Sequence, residues 1–297
     1  MIITDEASVT AVVLEAMSKA PDARLREISA AFVQHMHAFA REVRLTEEEF
    51  ELGCEFLNRI GKATGDTHNE GILFSDAIGF STLVCLLNNG GAGATETASA
   101  LLGPFWRLNS PRTANGGSIV RSPTPGPALF AAGHVVDAKG NGLAGVEVDV
   151  WHSSPTGAYE NQDETQADMN LRGKFTSDAE GRFSFRSVKP AGYPVPTDGP
   201  VGDMLRAQRR HPYRPAHLHF LAYKPGFKTL ITQIFVADDE HLGSDVVFGV
   251  TRELVGDYTR HDDGRAPAPD VSAPWYTLDF RLTLQPGEAK LPRPPIR

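Results

Sequence analysis

The chain has 297 residues, of which 41% are hydrophobic and 22% charged, with a formal net charge of −8 at pH 7. This balance argues against disordered, collagen-like and membrane-embedded classes, and an acidic chain without a Lys/Arg-rich run is not built around nucleic acid. The length buries a full core, as one large domain or two small ones.

The first residues, MIITDEASVTAVVLEAMSKAP, place acids where a signal peptide carries positive charge, and no apolar stretch reaches spanning length. A cytoplasmic enzyme or binding protein without membrane insertion is expected. Up to about residue 100 the apolar residues have helical spacing. Val9, Val12, Val13, Ala16 and Met17 form one run; Leu25, Ile28, Phe32, Phe39 and Val43 form another after Pro21. TEEE, Thr46 to Glu49, is a capping box that opens a third helix carrying Phe50, Phe56, Leu57 and Ile60. A fourth helical run, SDAIGFSTLVCLL, starts at Ser75 and stops at Gly90-Gly91. Cys54 and Cys85 stand in apolar helical contexts and read as small buried hydrophobes of a reducing compartment.

From about residue 128 the period becomes two. GHVVDAKGNGLAGVEVDVW reads as strand, turn, strand, and KFTSDAEGRFSFRSV as a hairpin around Asp178 to Gly181. AHLHFLAY, TLITQIFV and WYTLDFRLTL supply further strands, and the Pro/Gly/Asn-rich span 110–127 is the crossing into this half. The expected fold is mainly β, an antiparallel β-sandwich over 111–297 preceded by an α-helical segment over 1–110. The tail LPRPPIR is a surface extension.

In RPAHLHF, strand alternation sends His217 and His219 to one face and Leu218 and Phe220 to the other. Such a pair suits a metal, a polar stripe or a hydrogen-bonded core. Tyr159 in SSPTGAYENQD and Tyr193 in KPAGYPVPTDGP stand in loops, where tyrosines also serve as surface hydrogen bonders or core plugs. Taken together, two tyrosines and His-x-His do not make a zinc pattern; phenolates are hard anionic donors suited to ferric iron.

This order of residues, with NLRGKFTSDAEGRFSFRSVKPAGYPVP and RHPYRPAHLHF around it, resembles the intradiol ring-cleavage dioxygenases, the iron(III) family of catechol and hydroxyquinol 1,2-dioxygenases. The likeness runs from the helical segment through residue 285. It implies one Fe(III) per chain, with Tyr159 as the phenolate that stays bound, Tyr193 as the one that leaves and takes up a diol proton, and His217 and His219 as the imidazole ligands. It further implies that Arg214 lies over the substrate ring and stabilises developing negative charge, and that Gln233 supports the site from behind. On local sequence alone, Arg214 also reads as a surface ion pair and Gln233 as a strand residue on a polar face. The ring wall would come from Leu73, Leu102, Gly103, Pro104 and Phe105. The N-terminal helices would form a homodimer, and a phospholipid tunnel at that interface is permitted without being required.

Asp76 bears on the choice of diol. Hydroxyquinol-cleaving members resemble this chain in carrying an aspartate there, and a pocket carboxylate accepts a hydrogen bond from a third ring hydroxyl. Its other reading is an acid favoured by the helix dipole beside a cap at Ser75. The resemblance thus implies a hydroxyquinol-cleaving dioxygenase, with catechol cleavage as the alternative. A metal-free transthyretin-like or carbohydrate-binding sandwich explains the periodicity equally well, but leaves the four ligand-type residues and Arg214 as coincidence.

Overall fold

Apolar spacing of three and four produces α1 (Glu6–Met17), α2 (Ala23–Val43) and α3 (Glu47–Ala63) in a computed structural model that describes residues 2–65, 68–89 and 96–295. Caps start each helix. The Asp5 carboxylate accepts from the Ser8 N–H at 2.8 Å and Asp22 from the Leu25 N–H at 2.7 Å, while Thr46 and Glu49 exchange the two bonds that TEEE predicts. The chain divides into two compact units, 1–59 and 60–297. In the first, Val33 is the only buried residue among those described, and the apolar stripe Leu25, Ile28, Phe32, Phe39 and Val43 faces outward, Phe32 with 64% of its surface exposed. Cys54 is likewise exposed and not the buried hydrophobe expected, because it falls on the outer side of α3; Cys85 is half-buried.

The fourth helical run is two helices, α4 (Glu70–Ala77) and α5 (Phe80–Asn88). Gly79, with φ +73°, breaks them at a left-handed position that glycine enters without penalty. Asn69 caps α4 by accepting from the Ile72 N–H at 2.9 Å, so Ser75 is no cap and Asp76 lies in the last turn. The stop at Gly90-Gly91 lies outside the described residues. No single helix among the described residues is long and apolar enough to cross a membrane.

The β half contains β1 (Ala128–Asp137), β2 (Glu147–Trp151), β3 (Arg172–Thr176), β4 (Arg182–Val188), β5 (Tyr193–Pro194), β6 (Tyr213–Arg214), β7 (His217–Tyr223), β8 (Leu230–Val236), β9 (Val255–Gly256), β10 (Tyr258–His261) and β11 (Trp275–Leu284), with α6 (Pro200–Ala207) between β5 and β6. One sheet has the order β10-β11-β1-β4, the other β3-β2-β7-β8-β9, and β5 and β6 form a separate ribbon. These sheets are mixed, which corrects the antiparallel expectation. β1 runs parallel to β11, with Leu129 opposite Tyr276, and β8 runs parallel to β9. Parallel neighbours need a long connection, and between β1 and β11 the chain passes through the whole of the other sheet. Helical residues also outnumber strand residues among those described, so the chain is not mainly β.

The strand, turn, strand reading of β1 and β2 holds, but the hairpin expected around Asp178 to Gly181 does not form. The Asp178–Gly181 turn forms, with Gly181 N–H donating to the Asp178 carbonyl at 3.1 Å, but it joins β3 of one sheet to β4 of the other; the β1–β2 turn does the same. Both are corners of the sandwich. Val148, Val150, Phe175, Leu218 and Phe220 from one sheet meet Leu129, Ala131, Phe183, Phe185 and Leu278 from the other in the core.

Candidate active site

The alternation of β7 holds: Leu218 and Phe220 enter the core, and His217 and His219 share the opposite face. Strand register then builds a row. Arg172 on β3 stands opposite Trp151 on β2, Trp151 opposite His219, and His219 opposite Gln233 on β8. Directly opposed residues share a face. Trp151 accordingly stacks on the His219 ring, 4.7 Å between centroids and 9° from parallel. The ribbon sets Tyr193 opposite Arg214, and Tyr159 opens the short turn Glu160–Gln162 that follows β2.

These segments bring Tyr159, Tyr193, His217 and His219 together, all buried. The Tyr159 and Tyr193 rings meet edge-on at 5.6 Å, and Tyr193 lies 5.7 Å from the His217 ring. His217 Nδ1 lies 2.7 Å from the Pro215 carbonyl, which can only accept, so Nδ1 carries the proton and Nε2 a lone pair. That Nε2 is 3.1 Å from His219 Nε2. Burial holds both imidazoles well below the ordinary histidine range and pushes the Tyr159 phenol well above its own, neighbouring Tyr193 adding to the latter. Tyr159 Oη has no hydrogen-bond partner.

A buried phenol oxygen without a partner is costly unless something absent from the chain satisfies it. Two neutral imidazole nitrogens 3.1 Å apart have the spacing of adjacent donors on one ion, since donors about 2.1 Å from a metal and at right angles lie about 3 Å apart. Among the described residues no three His, Cys, Asp or Glu side chains converge, so a metal ion held here draws on the phenol oxygens. Two imidazoles and two phenols fit a hard, highly charged cation.

A cavity of about 410 Å³ lies against this cluster, lined by Leu73, Asp76, Gly103, Pro104, Phe105, Tyr193 and Arg214 among the residues singled out by sequence. Leu102 packs instead beside Trp106, Trp151 and Tyr159. Tyr159, the two histidines and Gln233 are not part of the lining. Gly103 has φ +73°, and a Cβ there would come 3.1 Å from His219 Cε1, so glycine lets the wall approach the imidazole.

Arg214 is no surface ion pair. It is 4% exposed, and its Nε and Nη2 donate to the two Asp245 oxygens at 3.2 Å each. Nη2 also donates to Gln233 Oε1 at 2.9 Å, and Nη1 lies 3.1 Å from His217 Nε2. Gln233 Nε2 donates in turn to the Leu101 carbonyl at 2.6 Å. Burial opposes the Arg214 charge, but Asp245 and Tyr193 outweigh it and the guanidinium stays cationic. Asp245 was not apparent in the sequence, where LGSDVVFGV carries no spacing that ties it to Arg214.

Asp76 sits at the C-terminal end of α4, where the helix dipole disfavours an anion, so the dipole reading is set aside. It is 7% exposed, and burial pushes its carboxyl from 3.8 up to about 6, opposed by the Ser81 hydroxyl and Arg214. A folded-state value above the unfolded one gives a contribution that is complete below about pH 4 and lost as pH rises through about 6. Asp76→Asn should therefore stabilise the fold above pH 7, by up to about 3 kcal/mol, with the gain vanishing toward pH 4. Denaturation midpoints of both proteins from pH 4 to 8 check this. A difference that does not change with pH would contradict it.

Residues 102–285 match the family model described as Dioxygenase, and residues 22–95 match the model Catechol dioxygenase N terminus. A catechol 1,2-dioxygenase of Candida albicans is 40% identical over 88% of this chain and 86% of its own length. A hydroxyquinol 1,2-dioxygenase of Rhizobium sp. is 41% identical over 85% of each. The crystal structure of hydroxyquinol 1,2-dioxygenase from Pseudomonas putida DLL-E4 superposes with a TM-score of 0.88 at 35% identity, covering 95% of this chain and 99% of that one.

Proposed function

The chain belongs to the intradiol dioxygenase family, and from that premise we propose that it cleaves hydroxyquinol, benzene-1,2,4-triol, with O2 between its two adjacent hydroxyls. The product is 3-hydroxy-cis,cis-muconate, which tautomerises to maleylacetate. The observation that carries the reading is the buried cluster of two tyrosines and two histidines beside a cavity that contains Asp76 and Arg214. Tyr159, Tyr193, His217 and His219 would hold one Fe(III). When bound, that ion would supply a Lewis acid that acts on the diol oxygens and withdraws charge from the ring.

The chain's own residues do the rest. Tyr193 lines the cavity and Tyr159 does not, which supports Tyr193 as the tyrosine that takes up a diol proton. Leu73, Pro104 and Phe105 give the ring apolar walls and keep water from it. The Arg214 cation, fixed by Asp245 and Gln233, faces the negative charge that develops on the diol. Asp76 accepts a hydrogen bond from the third hydroxyl, a partner that catechol lacks.

The Candida relative keeps catechol as the second reading. Oxygen uptake with both diols, in wild type and Asp76→Ala, separates them. The holoprotein should be coloured by tyrosinate-to-iron(III) charge transfer and should prefer hydroxyquinol. Asp76→Ala should lower kcat/KM for hydroxyquinol by about 2 kcal/mol, the scale of a hydrogen bond to a charged group, and leave catechol unchanged or faster. An unmoved ratio would show that Asp76 does not read the third hydroxyl and would strengthen the catechol reading. A colourless protein that stays inactive after iron loading would overturn the dioxygenase reading itself.

Dimerisation is assigned to the helical segment 1–110 and the iron ligands to 111–297, with Leu73, Asp76, Gly103, Pro104 and Phe105 of the first segment completing the substrate cavity. The outward stripe of α2 supports the dimerisation, since a long apolar face on a helix calls for a cover, here a second copy of the chain with room for a phospholipid between. The enzyme works in the cytoplasm on a small aromatic substrate.

A further inference from the structure

Arg172 is fully buried, and nothing in the chemistry above uses it. Its Nε donates to Glu160 Oε1 at 2.6 Å and its Nη1 to the Phe105 carbonyl at 2.6 Å. Glu160 directly follows Tyr159 and opens the same turn; its Oε1 also accepts from Arg107 Nη1 at 3.0 Å. Phe105 belongs to the cavity wall, and its ring lies 4.4 Å from that of Tyr159. One planar guanidinium thus bridges the substrate wall and the segment that carries a proposed iron ligand, with its Cζ 5.8 Å from the Tyr159 ring centroid. It also ends the row that continues through Trp151 to His219.

We propose that Arg172 is a positioning residue that locks the Phe105 wall to the Tyr159 turn, so that the seat of the substrate ring and the tyrosine ligand keep one fixed relation. A well-packed apolar side chain would fill the same space without burying a charge, so filling space does not account for an arginine. The rigid fork of arginine holds two acceptors from separate nitrogens in one fixed geometry, which a flexible ammonium does not fix. The inference rests on the reading of Tyr159 as an iron ligand.

Arg172→Lys in the iron-loaded holoprotein is the test, because lysine keeps the charge and most of the volume but lacks the two separate nitrogens that hold Glu160 and the Phe105 carbonyl in one fixed geometry. Iron should stay near one per chain. The tyrosinate–iron charge-transfer band should shift from its wild-type position, and KM for hydroxyquinol should rise about tenfold with a smaller change in kcat. A lower melting temperature with band and KM both at wild-type values would reduce Arg172 to a structural residue and overturn the proposal. If Arg172→Lys does not fold, Glu160→Gln weakens the same tether and is read the same way, an unchanged band and KM again overturning it. A wild-type protein without any band would instead defeat the iron reading.

Discussion

His217→Ala and His219→Ala should each purify without stoichiometric iron and without measurable ring cleavage. Both imidazoles are buried and neutral, and their Nε2 atoms approach to 3.1 Å. Each is held by its own support: His217 by the Pro215 carbonyl, His219 by the Trp151 ring. Among the described residues the neighbouring donors are committed elsewhere: His152 lies against the Ser153 carbonyl and the Ser187 hydroxyl. Asp245 is committed to Arg214, and Gln233 to Arg214 and the Leu101 carbonyl. Loss of an outer-shell support alone costs about 10- to 100-fold in metal affinity, and loss of a ligand itself costs more. Iron per chain, the visible band and oxygen uptake are the measurements, with a circular dichroism melt to show that the variants fold. Full iron and a wild-type band in either variant would remove that histidine from the ligand set.

How much of this was readable from residues alone differs from place to place. The TEEE cap and the His-x-His face depend on neighbours within four positions, and local rules suffice for them. The tyrosines are different: singly, Tyr159 and Tyr193 read as ordinary loop residues, donor chemistry groups them with the histidines as a set suited to ferric iron, and the resemblance supplies their separate roles. Sheet assignment was not local at all. A turn at Asp178–Gly181 looks the same in sequence whether it closes a hairpin or turns a corner between sheets, and the parallel pairing of β1 with β11 is set by everything between them. Asp76 was misplaced within its helix because the true cap, Asn69, and the break at Gly79 compete with the equally plausible signals at Ser75 and Gly90. Asp245 needed the fold to bring it to Arg214 across 31 positions.

That last pairing sets the sharpest test of the mechanism. Arg214→Ala should keep iron and colour yet lose at least a hundredfold in kcat, since one preorganised charge stabiliser commonly contributes about 3 kcal/mol. The same substitution leaves Asp245 buried without its cation, which destabilises a fold by roughly 3–5 kcal/mol. Two explanations of a rate loss then compete: the missing cation, or a newly unpaired anion close to an anionic substrate. The double variant Arg214→Ala/Asp245→Asn separates them. Its amide is neutral and keeps one carbonyl oxygen for one of the two N–H groups, Val247 and Gly249, that donate to separate Asp245 oxygens in the native chain. If the cation itself stabilises the reacting diol, the double variant regains melting temperature and stays slow. If kcat returns toward wild type, Arg214 serves only to neutralise Asp245, and charge stabilisation on the diol must come from elsewhere in the site.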